Sequence, residues 1–201
     1  MVDRDVRGRA LAIGTWSGFA AAIVGVGTVL LATLLAPWFA WTGDALSDLG
    51  SPARATAPLF NAGVFLAGLL GLVFVVRLWI GVEGSTWLRR VALVVLGTSF
   101  ASLGLVGVFP VGTGLHFPVA VGYFVALTYG LWLYGSADAL EGATRRGVAT
   151  IWLGVATVTG WVALVAIPSI SGIAIPEAVS TIALATWAVS TTLRVRRKTD
   201  G

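Results

Sequence analysis

The sequence predicts an all-α integral membrane protein: a bundle of six transmembrane helices, both termini cytoplasmic. Three observations predict it. The 201 residues are 57% hydrophobic and 11% charged, with a mean hydropathy of +0.93, whereas a soluble domain carries roughly a quarter charged residues. A chain of this length cannot bury so much apolar surface in water. Six stretches reach the ~20 apolar residues that cross a bilayer. Once these are threaded, all but one of the 13 basic side chains fall on one side.

The first span, 11–36, follows the basic segment "RDVRGR" and stops at Pro37. Its apolar run is far longer than the core of a signal peptide, so it is read as a retained helix. A loop over 37–57, holding Gly50-Ser51-Pro52, leads to the second span, 58–80. Gly81 and Gly84 separate it from the third, 88–109, and Gly112-Thr113-Gly114 separates that from the fourth, 116–136. Gly142 precedes the fifth, 147–167, and Pro168 and Gly172 precede the sixth, 174–193. These are turn formers in the places where a multi-pass chain must reverse. All of 1–201 is one transmembrane domain.

The basic residues orient the bundle. Arg4, Arg7, Arg9, Arg77, Arg89, Arg90, Arg145, Arg146, Arg194, Arg196, Arg197 and Lys198 share one side, and Arg54 stands alone on the other. The positive-inside rule then puts both termini in the cytoplasm of a cell membrane and points 37–57, 110–115 and 168–173 outward. Trp38 and Trp41 are expected at the outer interface, and Trp79, Trp87, Trp132 and Tyr134 at the inner one.

Small residues recur at spacing four: Gly14, Gly18 and Ala22, then Gly63, Ala67 and Gly71, then Gly97 and Ala101. Such ridges let helices approach closely in lipid, within the bundle or across a homodimer.

Several functions are disfavoured. There is no cysteine, which removes disulfides and thiolate chemistry. No ionisable residue sits near the middle of a span, where ion-coupled transporters and proton pumps need one. One histidine and one methionine, the first residue, do not supply the usual axial pair of a haem. The high pI reports membrane topology rather than nucleic-acid binding. No cofactor and no metal centre is expected.

The polar groups gather on the outward side: Asp44, Ser47, Asp48, Arg54, Asn61, His116 and Glu177. His116, the only histidine, opens the fourth span, and its expected correspondent is Asp48, which would fix its tautomer. With Ser47 these form the side-chain set of a nucleophilic hydrolase, although neighbours in an extended loop diverge. The same pair also reads as a latch holding the first loop down. Asn61 should hydrogen-bond inward, to the outer loop or to His116, and Glu177 complements the dipole of the last helix. Arg54 offers a contact for a lipid phosphate.

The segments "ALSDLGS", "PLFNAG", "GVFPVG", the following His116 and "AVGYF" come in an order and spacing that resembles the prokaryotic six-helix family of domain of unknown function 998, over about 10–195. More distantly the chain is similar to the eukaryotic Frag/DRAM/Sfk group, with Leu49 where that group has threonine. The resemblance implies work on membranes and lipids, and it carries over Ser47, Asp48, Gly50, Phe60, Asn61 and His116.

Two functions are expected to compete. One is a binding protein that holds a lipid head group or partner on its outer rim. The other is a lipid-modifying hydrolase or acyl transferase, with His116 as base, Asp48 as its orienter and Ser47 as nucleophile. An enzyme predicts these groups lining a cleft at lipid depth, and a latch predicts them packed shut. Transport of an uncharged or lipid-like substrate is a third reading.

Overall fold

A computed structural model describes residues 2–81, 87–167 and 170–199. Gly84 and Pro168, read above as turn formers, lie outside the described residues. Among those described, every regular element is helical: α1 (Val2–Leu34), a short 3-10 turn (Leu46–Gly50), α2 (Ala57–Ile80), α3 (Trp87–Val108), α4 (His116–Leu140), α5 (Thr144–Ala166) and α6 (Ala174–Thr199). All six long helices are apolar and long enough to cross a membrane. The chain is a multi-pass membrane protein.

Each helix packs on its neighbours in sequence, and α6 returns to α1, so the six close into a ring. Alternating direction puts both termini at one end, the terminal end, and the 35–56 loop at the other, the loop end. The prolines inside helices obey the backbone: Pro58, Pro118 and Pro176 each fall within the first turn of α2, α4 and α6, where no intrahelical N–H is required of them.

Helices outlast the apolar spans. α1 begins at Val2, α4 runs on to Leu140 and α6 to Thr199, because good helix formers such as Ala137, Ala139 and Arg194 continue the hydrogen-bond ladder beyond the hydrocarbon. The small-residue ridges work within the chain: Gly14 faces the stem of Arg77, Gly18 faces Phe74, and Gly63 faces Thr28. α2 and α3 approach closely at Gly68, where a Cβ would lie 2.5 Å from the Gly104 nitrogen, and at Gly107, where one would meet the Asn61 carbonyl oxygen.

The core centres on Trp187 of α6, fully buried against Phe74, Phe100 and Tyr134. Tyr134 therefore corrects an expectation. It lies at the anticipated depth but turns into the bundle, buried under the guanidinium of Arg89 at 4.2 Å. Trp79 and Trp87 do stand exposed at the terminal end.

Candidate functional site

The loop end is built around the 3-10 turn. Leu46 and Leu49 are buried against Ala32, Ala36, Phe60, Val64, Val106 and Ala174, so burial of two leucines draws the loop into the mouth of the ring. Polar groups then satisfy the backbone that this burial removes from solvent. Asp48 Oδ2 accepts from the Ala45 N–H at 2.8 Å, Thr56 Oγ1 donates to the Leu49 carbonyl at 2.7 Å, and Asn61 Nδ2 donates to the Gly50 carbonyl at 2.9 Å. From α6, Glu177 Oε2 accepts from the Leu46 N–H at 2.5 Å. The preceding residues are tied to the α5–α6 connection: Thr42 O accepts from the Ser171 and Gly172 N–H groups, both at 2.9 Å, and Asp44 O from the Ala174 N–H at 3.0 Å.

These bonds decide where the expected site residues stand. His116 Nδ1 lies 2.8 Å from the Phe109 carbonyl. A carbonyl only accepts, so Nδ1 carries the proton in this bond. The expected pairing with Asp48 is not the one the fold makes. The short 110–115 connection, closed by Thr113 bonding back to the Pro110 carbonyl at 2.9 Å, folds the imidazole onto the end of α3, while Asp48 closes its own turn. Among the described residues no ion pair joins His116 to a carboxylate. Asp44 Oδ2 accepts from the Ala40 N–H at 2.7 Å, and the Arg54 guanidinium stacks 3.8 Å over the Trp38 ring. Asp44, Asp48 and Arg54 are therefore engaged locally. Asn61 bonds the outer loop, one of its two expected partners. Glu177 does more than complement a helix dipole, since it clamps the loop from the opposite end of the chain.

Ser47 is buried, and beneath it lies a cavity of about 60 Å³ enclosed by α1, α2, α3, α4 and α6. Its walls are aliphatic and aromatic, with Val29, Val64, Val106 and Phe124 among them, and its polar edge is Ser47, Tyr123, Glu177 and Thr181. A second void of about 30 Å³ shares Gly25, Ala67, Leu103, Tyr123 and Thr181 with it and continues between α1 and α6. The Tyr123 hydroxyl, on a side chain buried between these voids, faces the Thr181 hydroxyl, and the buried Asn61 Oδ1 has no hydrogen-bond partner among the described residues. The arrangement places Ser47 and Glu177 on the cavity beside the 46–50 turn, and Tyr123 and Thr181 where the two voids meet. It brings no imidazole to Ser47.

A second polar cluster, in which the sequence analysis used only the arginines and only for orientation, occupies the terminal end. Arg89 of α3 is 7% exposed and Asp138 of α4 only 4%. Arg89 Nη2 lies 2.8 Å from Asp138 Oδ1 and 2.6 Å from Glu141 Oε2, and Arg194 Nη1 of α6 lies 3.1 Å from Asp138 Oδ2. Two guanidinium groups and two carboxylates thus join three helices where the ring would otherwise splay. The signal was available: Asp138 and Glu141 are three apart on one helix face, at the same end as Arg89 and Arg194.

Comparison with known proteins adds a family without adding an activity. A family model described as "Protein of unknown function (DUF998)" matches residues 19–194. No curated protein and no solved structure matches the chain.

Proposed function

The chain belongs to the DUF998 family, and from its loop end we propose that it binds a lipid or lipid-like amphiphile, taking the apolar part into the cavity under the 46–50 turn. The observation that carries this reading is the cavity itself: apolar walls between membrane-spanning helices, with Ser47, Tyr123, Glu177 and Thr181 among its lining. A volume of about 60 Å³ would hold about four waters or a short run of methylenes, so a longer chain would widen the slot toward the α1–α6 void. Tyr123 and Thr181 supply hydroxyls with further capacity to bond a head group or linkage oxygen. The rim residues Asp48, Asn61 and Glu177 serve as a lid fastening, with the ligand beneath them. The arginine distribution supports a terminal end in the cytoplasm of a cell membrane.

Hydrolysis by Ser47, Asp48 and His116 is the weaker reading, since His116 bonds Phe109 and Asp48 bonds Ala45. Lipid mass spectrometry separates the two. Wild type and Ala67→Leu, which fills the wall shared by both voids, are reconstituted with prokaryotic polar lipids and sampled over time. A lipid class retained by wild type and lost from a folded Ala67→Leu is the expected result. Equal retention overturns the cavity reading. Consumption of a lipid by wild type, abolished by Ser47→Ala, would establish the enzyme instead.

A further inference from the structure

The polar lining of the loop-end cavity carries charge of one sign. Glu177 of α6 is 6% exposed and lines the cavity with the hydroxyls of Ser47, Tyr123 and Thr181. We propose that the ligand of this cavity is a single-chain amphiphile with a protonated primary amine, its ammonium at the Glu177 carboxylate and its chain in the apolar slot. The inference rests on the cavity reading above and adds to it the charge and chain number of the ligand.

A buried carboxylate is costly unless hydrogen bonds and an opposite charge meet it. The fold supplies the first, since the Leu46 N–H donates to Glu177 Oε2 at 2.5 Å. It does not supply the second. Among the described residues no lysine, arginine or histidine lines the cavity. The basic side chains of the loop end are placed elsewhere: Arg54 is exposed and stacks over Trp38, and His116 bonds the Phe109 carbonyl. Val165, Pro168 and Ser169, which lie outside the described side chains, have no ionisable group. The other Lys and Arg positions belong to the terminal side of the spans. Asp48, whose field reaches Glu177, is also acidic and deepens the negative potential of the mouth.

The neutral groups match an ammonium as well, which has three N–H donors and no acceptor. Ser47 offers a hydroxyl oxygen beside the turn. Thr181, one turn along α6, donates its hydroxyl proton to the Glu177 backbone carbonyl at 2.9 Å and keeps its oxygen as an acceptor. A carboxylate accepts about four hydrogen bonds, so the Leu46 bond does not exhaust Glu177. Size selects the chain. Voids of about 60 and 30 Å³ suit one alkyl chain and are too small for two.

The test uses the full chain in phosphatidylcholine nanodiscs, equilibrated near neutral pH with octylamine or 1-octanol, which share a tail and differ in head. An alkylamine, like lysine, is protonated there. Bound probe is counted by mass spectrometry against empty nanodiscs. Wild type should enrich octylamine about tenfold over octanol, the worth of one charge-assisted hydrogen bond. Glu177→Gln, which keeps an acceptor for Leu46, should abolish the preference and leave octanol binding unchanged. Ser47→Ala leaves the Glu177–Leu46 bond intact and should lower octylamine enrichment about threefold, so the test stands even if Glu177→Gln does not fold. Asp44→Asn, at the same end but outside the cavity, should behave as wild type. Equal enrichment of both probes, lost in Ala67→Leu, retains the cavity and overturns the amine. Enrichment of neither overturns the cavity reading with it. A preference undiminished in whichever of the Glu177 and Ser47 variants folds, or reduced equally by Asp44→Asn, means diffuse charge and overturns the proposal. Displacement of octylamine by phosphatidylethanolamine assigns the site to a phospholipid ammonium and overturns the single chain.

Discussion

Glu177 and Leu46 are 131 residues apart, yet the carboxylate of one accepts the backbone N–H of the other at 2.5 Å in the buried mouth of the bundle. Glu177 is 6% exposed, so the fold places an acceptor where the turn's amide has lost water. Removing it orphans a buried donor. Glu177→Ala should lower stability by about 1–3 kcal/mol, and Glu177→Gln, which keeps one acceptor oxygen, by visibly less. Thermal unfolding in detergent ranks the two, and equal melting temperatures would remove Glu177 from the lid.

At the opposite end Arg89 and Asp138 are the most deeply buried charges of a four-member network. Arg89→Met strands Asp138 with Arg194 as its remaining ion partner, and breaking such a buried pair costs about 3–5 kcal/mol. Coupling between Arg89→Met and Asp138→Asn in a double-mutant cycle should reach about 0.5–3 kcal/mol. Additive losses would mean that the two groups stabilise the bundle separately.

These two contacts differ in how far the sequence reveals them. Depth in the membrane is legible, because apolar run length and flanking arginines report it directly, and all six spans stand where they were read. The direction a residue faces around its helix is not. Lipid and protein interior are equally apolar, so the period that separates inside from outside in a soluble helix fades. Tyr134 and Arg89 show the consequence: Tyr134 is expected at the interface and Arg89 only on the terminal side, and each turns inward. Contacts between a side chain and a backbone are less legible still. Glu177 reads in the sequence as a first-turn carboxylate complementing the dipole of the last helix, but any N–H can be its partner, and nothing in "ALSDLG" singles out Leu46. For His116 the attractive carboxylate in the sequence drew attention from a carbonyl seven residues away. The Ser-Asp-Leu-Gly turn and Asn61 were legible as a unit because both belong to the same loop–helix segment.

His116 and Asp48 share no hydrogen-bond partner, so their substitutions should act independently. His116→Ala removes one bond, to Phe109, and should cost about 0.5–1.5 kcal/mol. Asp48→Ala opens the end of the 3-10 turn at a comparable cost. The double variant should show coupling under about 0.5 kcal/mol in thermal or denaturant unfolding. A larger coupling would restore the direct pair that the residue types suggest.

Gly172 tests whether the two connections at the loop end act as one lid. Its N–H bonds the Thr42 carbonyl, and a Cβ on it would collide with the backbone of Gly43 and Asp44. Backbone cannot turn aside as a flexible side chain can, so even one added methyl must push the first loop away from the 170–173 segment. Gly172→Ala should therefore destabilise the protein by about 1–3 kcal/mol, the usual cost of overpacking. It should also expose the 35–56 loop to protease in the native state, while cleavage elsewhere is unchanged. Gly114→Ala, in the 110–115 connection at the same end, adds a methyl that meets nothing within 4 Å, so it serves as the control. If Gly172→Ala leaves loop cleavage at the wild-type rate, the lid is held by Glu177 and Asn61 alone, and the α5–α6 connection is not part of it.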